Sequence, residues 1–311
     1  MKDYGIIGDS LDFRQEVFKT LMTPIDGYVD GAMDYCLLKY FLENKSDDEK
    51  LLGCFLFGLT YSSTTSLIFW SKYKTLENVT DIEDFYNKVK DQLYFSKDRR
   101  RVKYFNQFIP AFKKIKELST GSFKNYIFNI LNKENGDILL LKEITSHWSS
   151  FGSFSGFLFF DAFSSLFNKK FTNIEIDWNN KNASRTLIPG IRILLGQDDV
   201  SNIHMATQED IEVFNNYIIE ISKEQIWAIN DIESALCFYY KIFKKTRYFG
   251  YYADRMLEEC YLMDDLLKEH GLDIWEARKK VIPAKFRGEL DNRWSGVRKN
   301  RMDRFLLTGE L

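Results

Sequence analysis

The sequence predicts a mainly α-helical globular protein, and three observations support this fold class. Helix-breaking residues are few, with 4 Pro and 17 Gly in 311 residues. Aromatic residues make up 16% of the chain, which favours helices packed on large rings. Apolar residues recur at helical spacing along most of the chain. The exception lies near residues 173–179, where Ile174, Ile176 and Trp178 alternate and predict one short extended or β segment.

In the amino-terminal half, the apolar spacing is helical from residue 10 to about residue 70. A hydroxyl-rich run at residues 61–66 interrupts that apolar context, so we expect its side chains to cap a helix or to line a cavity. Ser96 is the predicted N-cap of the basic helix that follows it. Gly152 and Gly156 are four residues apart, which would let another helix or a ligand approach the backbone.

In the carboxyl-terminal half, Pro189-Gly190 predicts a turn from which a new helix begins. Thr207 and Asp210 have the spacing of a capping box, so another helix is expected to start between them. Two further helices are predicted at about residues 230–248 and 253–269.

The chain has no internal repeat and no low-complexity linker, so we expect one large helical domain over residues 1–311. Its formal net charge of −2 excludes a global polycation that coats DNA without discrimination. Charge is nevertheless uneven, because ten basic residues against three acids lie between Arg278 and Arg304, within a basic carboxyl-terminal extension at about residues 278–311. The candidate DNA-binding residues of this extension are Arg293, Arg298 and Arg301.

The four cysteines are widely spaced and form no C-x-x-C pair, and the chain has 3 His. This pattern argues against a zinc site and against a disulfide scaffold. No apolar run reaches the roughly eighteen residues that a membrane span requires, and no signal segment is evident at the amino terminus. We therefore expect a cytoplasmic protein without a membrane partner.

The segment from Asp231 to Lys245 is the most informative for chemistry. On a helix, Glu233, Cys237 and Lys241 lie along one face, with acids towards one end and cations towards the other. That order of charges suits the helix dipole, which is a purely structural explanation. The same face could instead hold a zwitterion or a phosphate, which is the functional interpretation.

The segment around Pro189-Gly190 is the second candidate. A tight turn there would present the following amides as an anion site, with Arg192 close by in sequence. No Gly-Lys-Ser/Thr follows, so an autonomous nucleotide kinase is disfavoured. The segment also resembles the Leu-Pro-Gly-x-Gly hairpin of DNA glycosylases, although Arg192 stands where the second glycine belongs.

Short segments spread from about residue 51 to residue 248 follow the order of motifs in a known enzyme family. They are Tyr61-Ser62 with Trp70, Phe95-Ser96-Lys97-Asp98-Arg99, Gly156 with Asp161, Gly190-Ile191-Arg192 with Gly196, and Asp231-Ile232-Glu233-Ser234-Ala235-Leu236-Cys237. In this order they resemble the α-glutamyl/putrescinyl thymine pyrophosphorylases, which are bacteriophage amino acid:DNA transferases of thymine hypermodification. The last segment is the distinctive one.

This resemblance implies a reaction on double-stranded DNA that contains modified thymine. The enzyme would replace the pyrophosphate of 5-pyrophosphomethyluracil with an amine from an amino acid or a polyamine. No cofactor is expected, although a divalent metal that assists the departure of pyrophosphate is left open. Two alternatives remain. One is a helical base-flipping enzyme similar to DNA glycosylases, suggested by Pro189-Gly190 and by the acids Glu209 and Asp210 roughly one helix later, and the other is a non-catalytic DNA-binding protein.

The implied reaction suggests roles for the charged candidates. Arg99, Arg192 and Lys241 would clamp pyrophosphate, since a planar guanidinium suits phosphate oxygens and an ammonium adds positive charge. Asp231 or Glu233 would hold or deprotonate the amine.

The remaining candidates are a further carboxylate, a cysteine and three aromatic residues. Asp98 is a further catalytic candidate beside the clamp. Cys237 would either attack carbon 6 of uracil as a thiolate or pack as a small helix residue. A flipped base needs aromatic walls, and the expected walls are Tyr61, Trp70 and Trp148.

Overall fold

The computed structural model describes residues 10–22, 35–96, 105–171, 183–197, 207–221 and 229–282, apart from Lys245 and Phe249. In this part of the chain fourteen α-helices form and no strand does, which confirms the mainly α-helical fold class. The predicted extended segment near residues 173–179 lies outside the described residues. None of the described helices is long and apolar enough to cross a membrane.

The helices have the following bounds. The first seven are α1 (Leu11–Met22), α2 (Cys36–Leu42), α3 (Asp47–Thr60), α4 (Ser63–Tyr73), α5 (Ile82–Val89), α6 (Phe105–Ser119) and α7 (Phe123–Leu131). The others are α8 (Gly136–His147), α9 (Ser153–Phe167), α10 (Ala183–Leu194), α11 (Gln208–Ile221), α12 (Ile229–Phe243), α13 (Tyr251–Glu269) and α14 (Ile274–Val281).

These helices belong to two compact units. The first unit holds α1, α10, α11, α12 and the beginning of α13, up to Asp254. The second unit holds α2 to α9, the remainder of α13 from Arg255 onward, and α14. The single domain expected over residues 1–311 stays a prediction, because a division into compact units does not show whether either one folds alone.

Each unit has its own aromatic core. In the first unit α12 packs on α10 and α1, and the fully buried Phe18 ring of α1 meets the Tyr239 ring of α12 at 5.5 Å between centroids. In the second unit α3 packs on α9 and α4, and Phe55 of α3 is the centre of the core. The rings around Phe55 are those of Phe112, Phe123, Trp148 and Phe151.

The turn predicted at Pro189-Gly190 is wrong, since both residues lie inside α10. At Gly190 the helix packs closely on α12. A Cβ on Gly190 would lie 2.9 Å from the backbone oxygen of Leu236, so glycine is required for helix contact and not for a turn. The amides after Gly190 are therefore inside a helix and do not form the expected anion site.

Two of the predicted capping signals are confirmed, while the helix predicted after Ser96 falls on residues 97–104, which lie outside the described residues. Ser62 is the N-cap of α4 and accepts a hydrogen bond from the Thr65 amide at 3.2 Å, so the hydroxyl-rich run does cap a helix. At the start of α11, the Asp210 amide donates to Thr207 Oγ1 at 3.1 Å. The Thr207 amide in turn donates to Asp210 Oδ2 at 3.0 Å, which completes the capping box.

The close approach to the backbone expected at Gly152 and Gly156 is confirmed at Gly156 alone, because a Cβ on Gly152 would meet no heavy atom within 4 Å. A Cβ on Gly156 would lie 2.9 Å from Leu141 Cδ1 of α8. On α3, a Cβ on Gly58 would lie 3.0 Å from the backbone oxygen of Ser155. Small residues thus let α9 pack tightly against both neighbouring helices.

Candidate functional site

The structure places three predicted site residues on one face of α12. Glu233, Cys237 and Lys241 follow each other at intervals of four residues, so their side chains lie in one row. All three are half-buried, whereas Leu236 and Phe238 of the same helix are fully buried. The row therefore lies at the margin of the core, where a polar group is partly desolvated and still within reach of a ligand.

Glu233 has the most informative electrostatics of this row. Desolvation raises the pKa of its carboxyl group to about 7, against the smaller opposing effects of the Lys241 charge and a hydrogen bond with Ser234. Near neutral pH the group is therefore present in both protonation states. A carboxyl group with this pKa can take up a proton and release it again at physiological pH.

Lys241 and Cys237 form an ammonium–thiol pair one helical turn apart. Burial alone would lower the pKa of Lys241, but the pKa is raised because the Cys237 sulfur and the Tyr252 hydroxyl favour the charged ammonium. The lysine side chain hydrogen bonds to the cysteine sulfur. Lys241 is therefore a permanent cation at neutral pH and lies in the same row as Glu233.

Arg192 of α10 is already engaged by a carboxylate. Its Nη2 donates to Asp210 Oδ2 at 3.2 Å, and Gln197 Nε2 donates to the other carboxylate oxygen at 3.0 Å. Burial would raise the pKa of Asp210, but hydrogen bonds from Thr207 and Gln197 together with the Arg192 charge hold it below the usual value. In this structure the guanidinium therefore links α10 to the start of α11. A pyrophosphate would have to compete with Asp210 for it.

The three predicted aromatic walls are buried in the second unit. Tyr61, Trp70 and Trp148 are exposed by 8%, 5% and 4% of their surfaces. The Arg255 guanidinium lies over the Tyr61 ring at 4.0 Å, and Lys74 Nζ lies over the Trp70 ring at 3.8 Å. These positions are typical of core aromatics, because the faces that a flipped base would use are already in contact with protein.

Trp148 is likewise a core residue, and its indole nitrogen is held by a hydrogen bond. Its ring is surrounded by Phe55, Phe123, Phe151 and Phe159. Its indole nitrogen donates to the Tyr126 hydroxyl at 3.2 Å, and that hydroxyl donates to Glu143 at 2.6 Å. Trp148 therefore connects the aromatic core of the second unit to the hydrogen-bonded pair of Tyr126 and Glu143.

Several predicted site residues lie outside what the structure describes. Asp231 is in the first turn of α12, but its side chain is not described. Asp98 and Arg99, with the DNA-binding candidates Arg293, Arg298 and Arg301, are outside the described residues. Arg278, the first cation of the predicted basic extension, lies in α14 and is 3% exposed, so it does not belong to a basic surface.

Sequence reasoning missed a buried polar cluster in the second unit. The hydroxyls of Ser62 and Thr64 donate to Glu259 Oε2 at 2.8 and 3.0 Å. Arg255 lies one turn before Glu259, with Nε 3.6 Å from its carboxylate, and donates from Nη2 to the Tyr61 carbonyl at 2.9 Å. The hydroxyl-rich run was the available signal, but its partners lie almost two hundred residues further along the chain.

Tyr61 adds backbone strain to this cluster. It adopts the left-handed region with φ of 51°, which a non-glycine residue seldom does. The Arg255 hydrogen bond to its carbonyl and the stacking on its ring hold that conformation.

Among the described residues, no group of three or more His, Cys, Asp and Glu side chains is arranged to hold a metal ion. Comparisons of the chain with protein-family models, with curated proteins and with solved structures found no match.

Proposed function

We propose that the protein is a DNA thymine-hypermodification transferase, which replaces the pyrophosphate of 5-pyrophosphomethyluracil with an amine from an amino acid or a polyamine. The observation that carries this proposal is the row on α12, in which Glu233 with a pKa of about 7 lies on the same face as Cys237 and the cationic Lys241. The same helix carries the motif that resembles the family. An acid–base group and a fixed cation are the two functions that the reaction requires of the protein.

The roles follow from the charges. An incoming ammonium must lose a proton before it can attack the exocyclic methylene, and Glu233 is ionised often enough near neutral pH to accept that proton. The departing pyrophosphate gains negative charge, which the Lys241 ammonium stabilises. Cys237 lies between the two residues on this face. Neither role requires Arg192, which is paired with Asp210.

The glycosylase alternative loses its main support. It depended on a hairpin at Pro189-Gly190, and α10 runs through both residues without a break. Of the two acids that also suggested it, Asp210 completes the capping box of α11 and pairs with Arg192, and Glu209 is exposed.

The proposal is tested by incubating the protein with DNA that bears 5-pyrophosphomethyluracil and with a mixture of amino acids and polyamines. Digestion to nucleosides and mass spectrometry should reveal a new amine-bearing nucleoside. Glu233→Gln should lower turnover by roughly a hundredfold or more, the scale of a lost general base. The matched control is Glu209→Gln, an exposed glutamate at the start of α11, which should retain full activity.

The experiment distinguishes failure of the transferase proposal from failure of the α12 site. No new nucleoside with the wild-type protein would remove the transferase, and DNA binding without any change in base mass would instead favour the non-catalytic alternative. A new nucleoside formed equally well by Glu233→Gln would keep the transferase and remove the α12 site.

A further inference from the structure

We propose that Lys241, Lys244 and Arg247 of the first unit form a binding site for a diphosphate group. Lys241 lies in the last turn of α12, and the other two residues follow the end of that helix at Phe243. We call the three residues the basic cluster. The proposal rests on the proposed function for the source of the diphosphate, and it assigns to Arg247 the role expected of Arg192.

A closing turn brings Arg247 back to the last turn of α12. The Thr246 amide donates to the Lys241 carbonyl at 2.9 Å, and the Thr246 hydroxyl donates to the same oxygen at 3.1 Å. An amide hydrogen bond over this spacing is the one that ends a helix in a Schellman motif, where the chain reverses its direction. Arg247 is the next residue and therefore lies near Lys241, and its charge acts on that ammonium.

Aromatic rings hold the two outer cations of the basic cluster. Lys244 Nζ lies over the Tyr240 ring, 4.8 Å from its centroid. The Arg247 guanidinium lies over the Tyr251 ring at 3.9 Å, and its Nη1 donates to the Thr246 carbonyl at 2.9 Å. Within the described residues its Nη2 has no hydrogen-bond partner and, unlike the buried Nε, reaches solvent. A ring orients a cation without neutralising it, so both side chains are positioned and still attract an anion.

No carboxylate is paired with the basic cluster in the described part of the chain. Residues 234–253 contain no Asp or Glu. None of the three cations forms an ion pair with a described carboxylate, whereas Arg192 is paired with Asp210. The like charges repel, and the half-burial of Lys241 limits the screening of that repulsion by water. An anion held between the cations removes the repulsion.

The helix dipole explains only part of the basic cluster. Cations near the carboxyl end of a helix are favoured by the dipole, which accounts for Lys241 and Lys244. Arg247 lies beyond the helix and stacks on a residue of α13, so its place comes from the closing turn and the Tyr251 ring. A third cation brought beside two others needs a further cause, and a polyanionic ligand supplies one.

The position of the basic cluster on α12 indicates the class of anion. Lys244 follows Cys237 by seven residues and therefore lies on the face that carries the row. Lys241 and Glu233 are two helical turns apart, about 12 Å along the axis. An amine at Glu233 and an anion at the cluster can thus approach a carbon between them from opposite ends. A diphosphate fits better than one phosphate, because oxygens on two phosphorus atoms can reach α12 and the closing turn together.

The test is calorimetric titration of the full-length protein with inorganic pyrophosphate and, separately, with inorganic phosphate. Pyrophosphate should bind more tightly than phosphate by roughly tenfold or more, and Arg247→Gln and Lys244→Gln should each weaken pyrophosphate binding by roughly tenfold. Lys244 is exposed, so its replacement should keep the melting temperature even where loss of the Tyr251 stack lowers it in Arg247→Gln. The matched control is Lys142→Gln, an exposed lysine of α8 in the second unit, which should bind pyrophosphate as the wild type does.

The DNA backbone is the other source of phosphate groups, and titration with an unmodified DNA duplex separates the two sources. Variants of the basic cluster that weaken the duplex and leave pyrophosphate unchanged would assign the cluster to the DNA backbone and overturn the proposal. Absence of pyrophosphate binding to the wild type would overturn it too, as would equal affinity for pyrophosphate and phosphate.

The transferase assay keeps this proposal separate from the proposed function. No new nucleoside from the wild type, together with pyrophosphate binding that Arg247→Gln and Lys244→Gln both weaken, would remove the transferase and leave the diphosphate site. A new nucleoside formed at the wild-type rate by both variants would keep the transferase and overturn the site.

Discussion

At the scale of single residues, the feature with the clearest physical consequence is the carboxyl group of Glu233. Its pKa of about 7 in the folded protein exceeds the ordinary value of 4.5, so the folded state holds the proton more tightly than the unfolded chain does. The free energy of unfolding must therefore fall as the pH rises from about 4.5 to about 7. Above that range the folded protein retains a partly desolvated carboxylate, which is unfavourable.

We expect Glu233→Gln to remove this fall in the free energy of unfolding with rising pH. Above pH 7 the variant should exceed the wild type in stability by on the order of 1–3 kcal/mol, and the difference should shrink towards pH 4.5. Urea unfolding between pH 4.5 and pH 8.5 measures it. Glu209→Gln, in an exposed position, should follow the wild-type profile. A constant difference between the two proteins at every pH would contradict the assigned pKa.

A second residue-scale prediction concerns the buried Glu259. Replacing it by Gln preserves its size but removes the charge opposite the buried Arg255, so the variant should lose about 3 kcal/mol of unfolding free energy. The control is the exposed pair of the same spacing on α14, where Glu276→Gln should barely change the denaturation midpoint. Equal midpoint shifts in the two variants would mean that burial of the cluster has no energetic effect.

At the scale of elements, helix propensity and packing disagree at Gly190. In an isolated helix Ala is favoured over Gly by about 1 kcal/mol. In α10 the added methyl group would lie 2.9 Å from a backbone oxygen of α12, and backbone cannot move aside as the end of a side chain can. The contact between the two helices therefore determines the residue.

We expect Gly190→Ala to destabilise the protein by about 1–3 kcal/mol, which is the usual effect of overpacking. Gly152→Ala, where the methyl group meets nothing within 4 Å, should be neutral or slightly stabilising. Thermal unfolding of the two variants compares them directly. A gain in stability for Gly190→Ala would show that α10 can move away from α12 at little cost.

Features set within one helix were predictable from the sequence, whereas features set by contacts between helices were not. The capping box of Thr207 and Asp210 was predictable, because both partners lie within one helical turn. The role of Gly190 inside α10 was not, since it depends on the close approach of the Leu236 backbone on another helix. For the same reason the α12 row could be predicted from spacing, while the raised pKa of Glu233 depends on burial that only the packed structure supplies.

At the scale of the whole molecule, the charge distribution makes one prediction about DNA. The extension from residue 278 onward is basic by sequence, although Arg278 itself is buried in α14. Replacing Arg293, Arg298 and Arg301 together by Gln should weaken the binding of modified and unmodified DNA alike and reduce the salt slope by up to about 3. Filter binding over a series of salt concentrations measures that slope. An unchanged slope would exclude these three arginines as contacts to the DNA backbone.

The order of the helices along the chain also bears on how the protein is made. The apolar face of α1, with Val17, Phe18 and Leu21, is covered by α10 and α12, and about two hundred residues separate α1 from α12. At a synthesis rate of roughly 5–20 residues per second, this face waits for its partners for about 10–40 s on the ribosome. During that interval the nascent chain exposes the apolar face of α1, which is the kind of segment that chaperones recognise. Transposing α1 to a position directly after α12 would shorten the interval to the time needed to synthesise the connecting loop, and the yield of native protein from chaperone-depleted translation should rise.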